Sequence, residues 1–86
     1  MKFEVGDIVI STAGRDVGQS YLVWGYEGNY LILVNGRSKK ILNPKKKFEK
    51  HVSFMSKSML LSEKLEKNEK INDAFLRKIL QSAEKI

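Results

Sequence analysis

The chain has 86 residues, room for one small domain, and 42% of them are hydrophobic, which suits a folded core and not a disordered chain. It has no cysteine and one histidine, which excludes disulfides, thiolate metal sites and any Cys-His pair. Sixteen Lys and Arg against ten Asp and Glu give a net charge of +6. The first twenty residues include Glu4, Asp7, Arg15 and Asp16 and no long apolar stretch, so the expectation is a cytoplasmic protein without a signal peptide or a membrane partner.

In chain order, Ile8, Val9 and Ile10 begin a short β run that ends at Ala13-Gly14. Tyr21–Tyr26 and Tyr30–Val34 are further runs of the aromatic and branched residues that pack on a pleated surface. Trp24, central in its run, is expected in the core. Gly25 permits a bulge or sharp bend. Glu27-Gly28-Asn29 reads as a hairpin turn, because Gly and Asn tolerate positive φ. Asn35-Gly36 predicts a type I′ turn, hence a fourth strand near Ser38–Leu42 that ends with Ile41 and Leu42 in the core. Pro44 breaks the ladder, and a last strand is expected at His51–Phe54. Five short strands joined mainly by tight turns predict a small antiparallel barrel.

After Ser56 the pattern lengthens to a helical period. Ser58 is an N-cap candidate for a short helix over Leu60, Leu61 and Leu65. Asn72 is a second, with Ile71 placed to pack back on Leu76. Phe75, Leu76, Ile79, Leu80, Ala83 and Ile86 then form one apolar helical stripe. The expected fold class is therefore mainly β with C-terminal α: a barrel over residues 1–57, and a helical segment over 58–86 that packs on it as a lid within a single domain.

Charge is concentrated. From Arg37 to Lys50 there are seven basic residues, Arg37, Lys39, Lys40, Lys45, Lys46, Lys47 and Lys50, and one acid, Glu49, for +6 in fourteen residues. Residues 58–86 have six basic and five acidic residues and are nearly balanced. A basic stretch beside a neutral remainder points to a polyanion. Catalysis finds no support: no local motif frames a serine near His51 and a carboxylate, no glycine-rich phosphate loop is present, and the carboxylates lack ligand spacing. No enzyme activity, cofactor, metal or small-molecule substrate is expected.

The loop Ala13-Gly14-Arg15-Asp16-Val17-Gly18 places Arg-Asp between two glycines. Asp16 is expected to cap the turn by accepting backbone N–H bonds, leaving the Arg15 guanidinium at the tip for phosphate or a base.

Val5-Gly6-Asp7-Ile8-Val9, Gly14-Arg15-Asp16-Val17-Gly18 and Tyr21-Leu22-Val23 together resemble a KOW motif. With Val34-Asn35-Gly36-Arg37, Asn43-Pro44-Lys45-Lys46-Lys47 and Lys50-His51-Val52, the likeness extends to the KOW-bearing ribosomal protein family of archaeal and eukaryotic large subunits known as fourteen-e. It is closer still to that family's short bacterial relatives, which are KOW-domain RNA-binding proteins. The match spans about Phe3 to Phe54. The resemblance implies an SH3-like (KOW) barrel whose loops and basic edge contact structured RNA, ribosomal or ribosome-associated. It carries this role onto Gly14, Arg15, Asp16 and Gly18, and onto Gly36, Lys45, Lys46, Lys47, Lys50 and His51. Asn35 stands where the family has aspartate, Phe48 interrupts the basic run, and the long basic C-terminal extension of the ribosomal proteins is missing.

The reading is thus an RNA-binding module in which Arg15, Arg37, Lys39, Lys40, Lys45, Lys46, Lys47 and Lys50 meet phosphates and His51 adds a hydrogen bond. Tyr26, Tyr30 and Phe48 are stacking candidates, although core packing is the commoner use of such rings. The alternative is an SH3-like protein-interaction adaptor using the C-terminal amphipathic helix. Double-stranded DNA ranks below RNA, since no helix presents an array of base-reading side chains. A monomer is the default.

Overall fold

The computed structural model describes residues 2–84. The strands are β1 (Asp7–Ser11), β2 (Ser20–Glu27), β3 (Tyr30–Val34), β4 (Lys45–Phe48) and β5 (Val52–Lys57); α1 (Met59–Glu66) and α2 (Asp73–Glu84) follow. All strand pairings are antiparallel, in the order β4-β3-β2-β1-β5. The mainly β architecture with two C-terminal helices is the one the sequence predicts.

Side-chain alternation sorts the apolar residues to two faces of this sheet. Val9, Tyr21, Val23, Leu31, Leu33 and Val52, with Phe3, fill one cluster. Ile8, Leu22 and Val34 point the other way and meet Leu61, Leu76, Ile79 and Leu80 from the helices. Val52 on β5 and Leu31 on β3 have two strands between them yet share a cluster, so the sheet bends around it. Two bulges help the bend: Trp24 is the extra residue of β2 against β3, and Met55 that of β5 against β1. The first lies beside Gly25, as expected. Trp24 itself is only half-buried, lying against the helical cluster and not in the cluster of Val9, Tyr21 and Leu31.

The sheet is not closed. β4 and β5 are its two edges, joined by a 3-10 turn over Glu49–His51. β4 is only four residues long and is mostly lysine. Lysine on an edge strand opposes further pairing, because adding a strand there would bury its ammonium groups. The helices cover the outer sheet face carrying Ile8, Leu22 and Val34, and not an open end of a barrel.

The largest departure lies between β3 and β4. No strand forms at Ser38–Leu42. Asn35 is buried, and its side-chain oxygen accepts from the backbone N–H groups of Arg37 and Lys39, both at 2.9 Å. This side-chain turn replaces the two-residue hairpin turn and curls the chain into a loop. Ile41 leans on the helical cluster and its N–H donates to Asp73 Oδ1 at 3.0 Å, whereas Leu42 is 97% exposed. The strand that pairs with β3 starts after Pro44, with Leu33 opposite Lys45 and Tyr30 opposite Phe48. The β2–β3 hairpin does form, with Gly28 alone at positive φ in its two-residue turn, as in type II′. The last strand begins one residue later than expected and runs to Lys57.

Both predicted caps are present. Ser58 Oγ accepts from Leu61 N at 3.2 Å, and Asn72 Oδ1 from Phe75 N at 2.9 Å. α1 ends in a Schellman arrangement, with Asn68 at φ 54°, Asn68 N–H on the Leu65 carbonyl and Glu69 N–H on that of Lys64. Of the α1 leucines only Leu61 is buried; Leu60 and Leu65 face outward. Leu76, Ile79 and Leu80 of the α2 stripe are buried, Ile71 joins them, and Ile86 lies outside the described residues. The Lys64 ammonium over the Phe75 ring, 4.2 Å from its centroid, ties the two helices together.

Candidate nucleic-acid interface

The loop between β1 and β2 holds Arg15 at an exposed position between Gly14 and Gly18, both with φ near 90°. Left-handed φ at both positions suits glycine and fixes the loop shape. Asp16 does not cap this loop through backbone N–H groups. Its carboxylate turns inward and accepts from Ser11 Oγ at 2.9 Å, Tyr21 OH at 2.7 Å and Lys47 Nζ at 2.9 Å. Lys45 Nζ lies 3.5 Å from its second oxygen, and Lys47 also donates to the Ala13 carbonyl at 2.8 Å. Burial alone would raise the Asp16 pKa; the Lys47, Tyr21 and Ser11 hydrogen bonds and the Lys45 charge overcome it and hold the carboxyl far below its ordinary 3.8. Burial, and then the Asp16 carboxylate, push the Tyr21 hydroxyl well above its ordinary 10.

This arrangement divides the basic run. Strand alternation turns Lys45 and Lys47 toward Asp16, where the Lys47 side chain is 10% exposed. Lys46 points to the other face and pairs with Glu27 at 2.9 Å. All three lysines of β4 therefore have carboxylate partners within the protein. The charged ends of Arg15, Arg37, Lys39, Lys40 and Lys50 have no hydrogen-bond or ion-pair partner among the described residues. Each of these five sits in a loop or in the 3-10 turn.

The segments that hold them adjoin. The Thr12 N–H donates to the His51 carbonyl at 2.8 Å, and the Ala13 carbonyl meets Lys47, so the Arg15 loop runs along β4 and the 3-10 turn. Arg37 lines a depression with Gln19 and Ser20 at the far end of that loop. Gly36 lies beneath α2: its carbonyl accepts from Arg77 Nη1 at 2.6 Å, and a Cβ there would collide with the Asp73 carbonyl. The Gly36 role is thus close packing, which places Arg37 at the surface.

Beside the 3-10 turn, Tyr30 and Phe48 stack across β3 and β4 with ring centroids 4.3 Å apart. They are 41% and 37% exposed and belong to neither core cluster. The His51 ring approaches Phe48 edge-on at 6.1 Å, and Lys50 Nζ lies 5.8 Å from the Phe48 centroid. Tyr26 is 53% exposed on the opposite sheet face, across from Leu31.

Residues that share one charge run in the sequence are thus separated in space: among the described residues Arg15, Arg37, Lys39, Lys40 and Lys50 keep free charges, whereas Asp16, Lys45 and Lys47 form an internal cluster with Tyr21 and Ser11. The signal for Tyr21 is in the pattern, since a tyrosine opening an apolar strand needs a partner for its hydroxyl. Among the described residues, no three His, Cys, Asp or Glu side chains gather as metal ligands, and no helix is long and apolar enough to cross a membrane. No family model matches the chain, and no curated protein does.

Proposed function

We propose that the protein is an RNA-binding module of the KOW type, acting in the cytoplasm on structured RNA of the ribosome or of a ribosome-associated particle. The observation that supports this most is the set of cations without a hydrogen-bond or ion-pair partner among the described residues, Arg15, Arg37, Lys39, Lys40 and Lys50, held on adjoining loops around β4. Guanidinium and ammonium groups without internal partners remain available for phosphate, and their loop backbones are braced by Asp16, Asn35 and Gly36. Phosphate contacts set position and supply little sequence information, so recognition rests on RNA shape.

Five phosphate contacts predict that log affinity falls with log salt with a slope of about −3.5 to −4.5, taking about −0.7 per contact on a single strand and about −0.9 on a duplex. Anisotropy of a labelled RNA hairpin across a KCl series measures this, and a flat dependence would sink the proposal. Crosslinking in cells, with sequencing of the attached RNA, identifies the target; recovery of no RNA above background favours the adaptor reading. That second reading keeps one supporting feature. The α2 stripe is already packed on the sheet, but Met59, Leu60 and Leu65 of α1 are 66%, 56% and 45% exposed.

A further inference from the structure

Glu49 is the one acid in the basic stretch from Arg37 to Lys50, and it forms no ion pair among the described residues although Lys46, Lys47 and Lys50 are its neighbours in sequence. A carboxylate left unpaired on a phosphate-binding surface repels phosphate. It serves a different purpose if what approaches it is the edge of a base. Glu49 lines a shallow depression of about 320 Å³ with Phe48, Lys50 and Asn29. That volume is at the small end of ligand-sized clefts. Its lining includes the exposed Phe48 ring, stacked by Tyr30 and with the Lys50 ammonium 5.8 Å from its centroid, and three residues that carry an amide, a carboxylate and an ammonium.

We propose that this depression seats one unpaired nucleobase, and that its preferred occupant is guanine. The proposal rests on the RNA-binding reading and specifies what that surface reads. Stacking on an aromatic ring suits any base. Selectivity comes from the rim. Guanine presents two adjacent N–H donors, at N1 and N2, which fit the two oxygens of a carboxylate, while its O6 accepts from an amide such as that of Asn29. Uracil presents one N–H between two carbonyl oxygens, and those oxygens face the Glu49 carboxylate unfavourably. Lys50, whose ammonium lies over the Phe48 ring at 5.8 Å from its centroid, moves off the ring to the phosphate flanking the seated base. Tyr30 acts as a positioning residue by fixing the Phe48 ring.

The test uses the full chain and three labelled RNAs: a uridine hexamer, the same hexamer with one central guanosine, and a blunt duplex without unpaired bases. The wild-type protein should bind the guanosine strand about tenfold more tightly than the uridine strand, the discrimination of one bidentate side-chain–base pair. Phe48→Leu should weaken binding to the guanosine strand about tenfold and leave duplex binding unchanged. Glu49→Gln should remove the preference for guanosine over uridine. Backbone amide shifts of the wild-type protein give a readout that needs no variant to fold: the guanosine strand should move Asn29, Tyr30 and residues 46–51 more than the uridine strand does. Equal affinity for the two single strands, or shifts spread over the cationic loops alone, overturns the guanine seat while salt-dependent duplex binding upholds the RNA reading. Failure to bind any of the three RNAs overturns both.

Discussion

The Lys47 ammonium lies 2.9 Å from Asp16 Oδ1, and through this contact a lysine of an edge strand becomes part of the interior. Lys47 sits opposite Leu31 on the sheet face that carries Phe3, Val9 and Tyr21, so its stem covers apolar surface while its charge emerges at Asp16. Tyr21 does the same from β2, with its ring in the core and its hydroxyl on the carboxylate. Asp16 thereby joins the Arg15 loop, β2 and β4.

Asp16→Ala would leave the Tyr21 hydroxyl without its acceptor and Lys47 without its counter-charge, and should cost about 2–4 kcal/mol of stability. Lys46→Ala removes only an exposed pair with Glu27 and should cost under about 1 kcal/mol. Urea titration of the two variants against wild type checks the contrast. Equal effects would show that the Asp16 cluster is no more than a surface ion pair.

The same cluster contributes to the pH response beside the exposed Glu4–Lys57 pair. The Asp16 carboxyl is depressed in the folded chain, so its stabilisation is fully present above its ordinary value of 3.8 and is lost as pH falls below it. Tyr21 is raised above its ordinary 10, so its neutral form is favoured by folding and stability declines as pH rises past that value. Thermal melting should therefore give a plateau with an acid limb and an alkaline limb. Asp16→Asn should flatten the acid limb, and Tyr21→Phe the alkaline one.

Gly36→Ala tests the seating of α2. Gly36 has φ 74°, and an added Cβ would reach the Asp73 carbonyl and come within 3.0 Å of Arg77 Cγ. Backbone strain and overpacking together should cost about 2–4 kcal/mol. Gly18→Ala carries the backbone strain without a clash, since nothing lies within 4 Å of its Cβ position, and should cost about 1 kcal/mol. Similar losses in the two variants would mean that α2 gives way to the added methyl group.

Much of this fold was legible from local chemistry. The β1–β3 strands followed from their apolar runs, the bulge from Gly25, and both helix starts from Ser58 and Asn72. The path from Asn35 to Pro44 was not. Asn-Gly suits a tight hairpin, but Asn35 is buried and turns its side chain onto its own loop, while Asp73, distant in sequence, holds Ile41. A long-range contact overrode a local preference. β4 was hidden for the converse reason: three lysines in a row have little strand propensity, and they pair with β3 only because Asp16 and Glu27 receive their charges. In the candidate interface, the basic composition was visible, but which cations stay free depended on strand parity.

Truncation after Lys57 tests whether the helices belong to the domain. Without them Ile8, Leu22 and Val34 would lose the Leu61, Leu76, Ile79 and Leu80 side chains that bury them, and three large apolar residues would face water on one sheet surface. Full burial of each such residue contributes about 1.5–3 kcal/mol, so the combined loss rivals the whole stability of a domain this small. Residues 1–57 should therefore be unfolded or aggregated, and Leu76→Ala in the full chain should cost about 2–5 kcal/mol. Amide dispersion in a proton–nitrogen correlation spectrum reads the first outcome and urea melting the second. A well-dispersed spectrum from residues 1–57 would instead release α1 and α2 for a partner, and with it would favour the adaptor reading through the exposed Met59, Leu60 and Leu65.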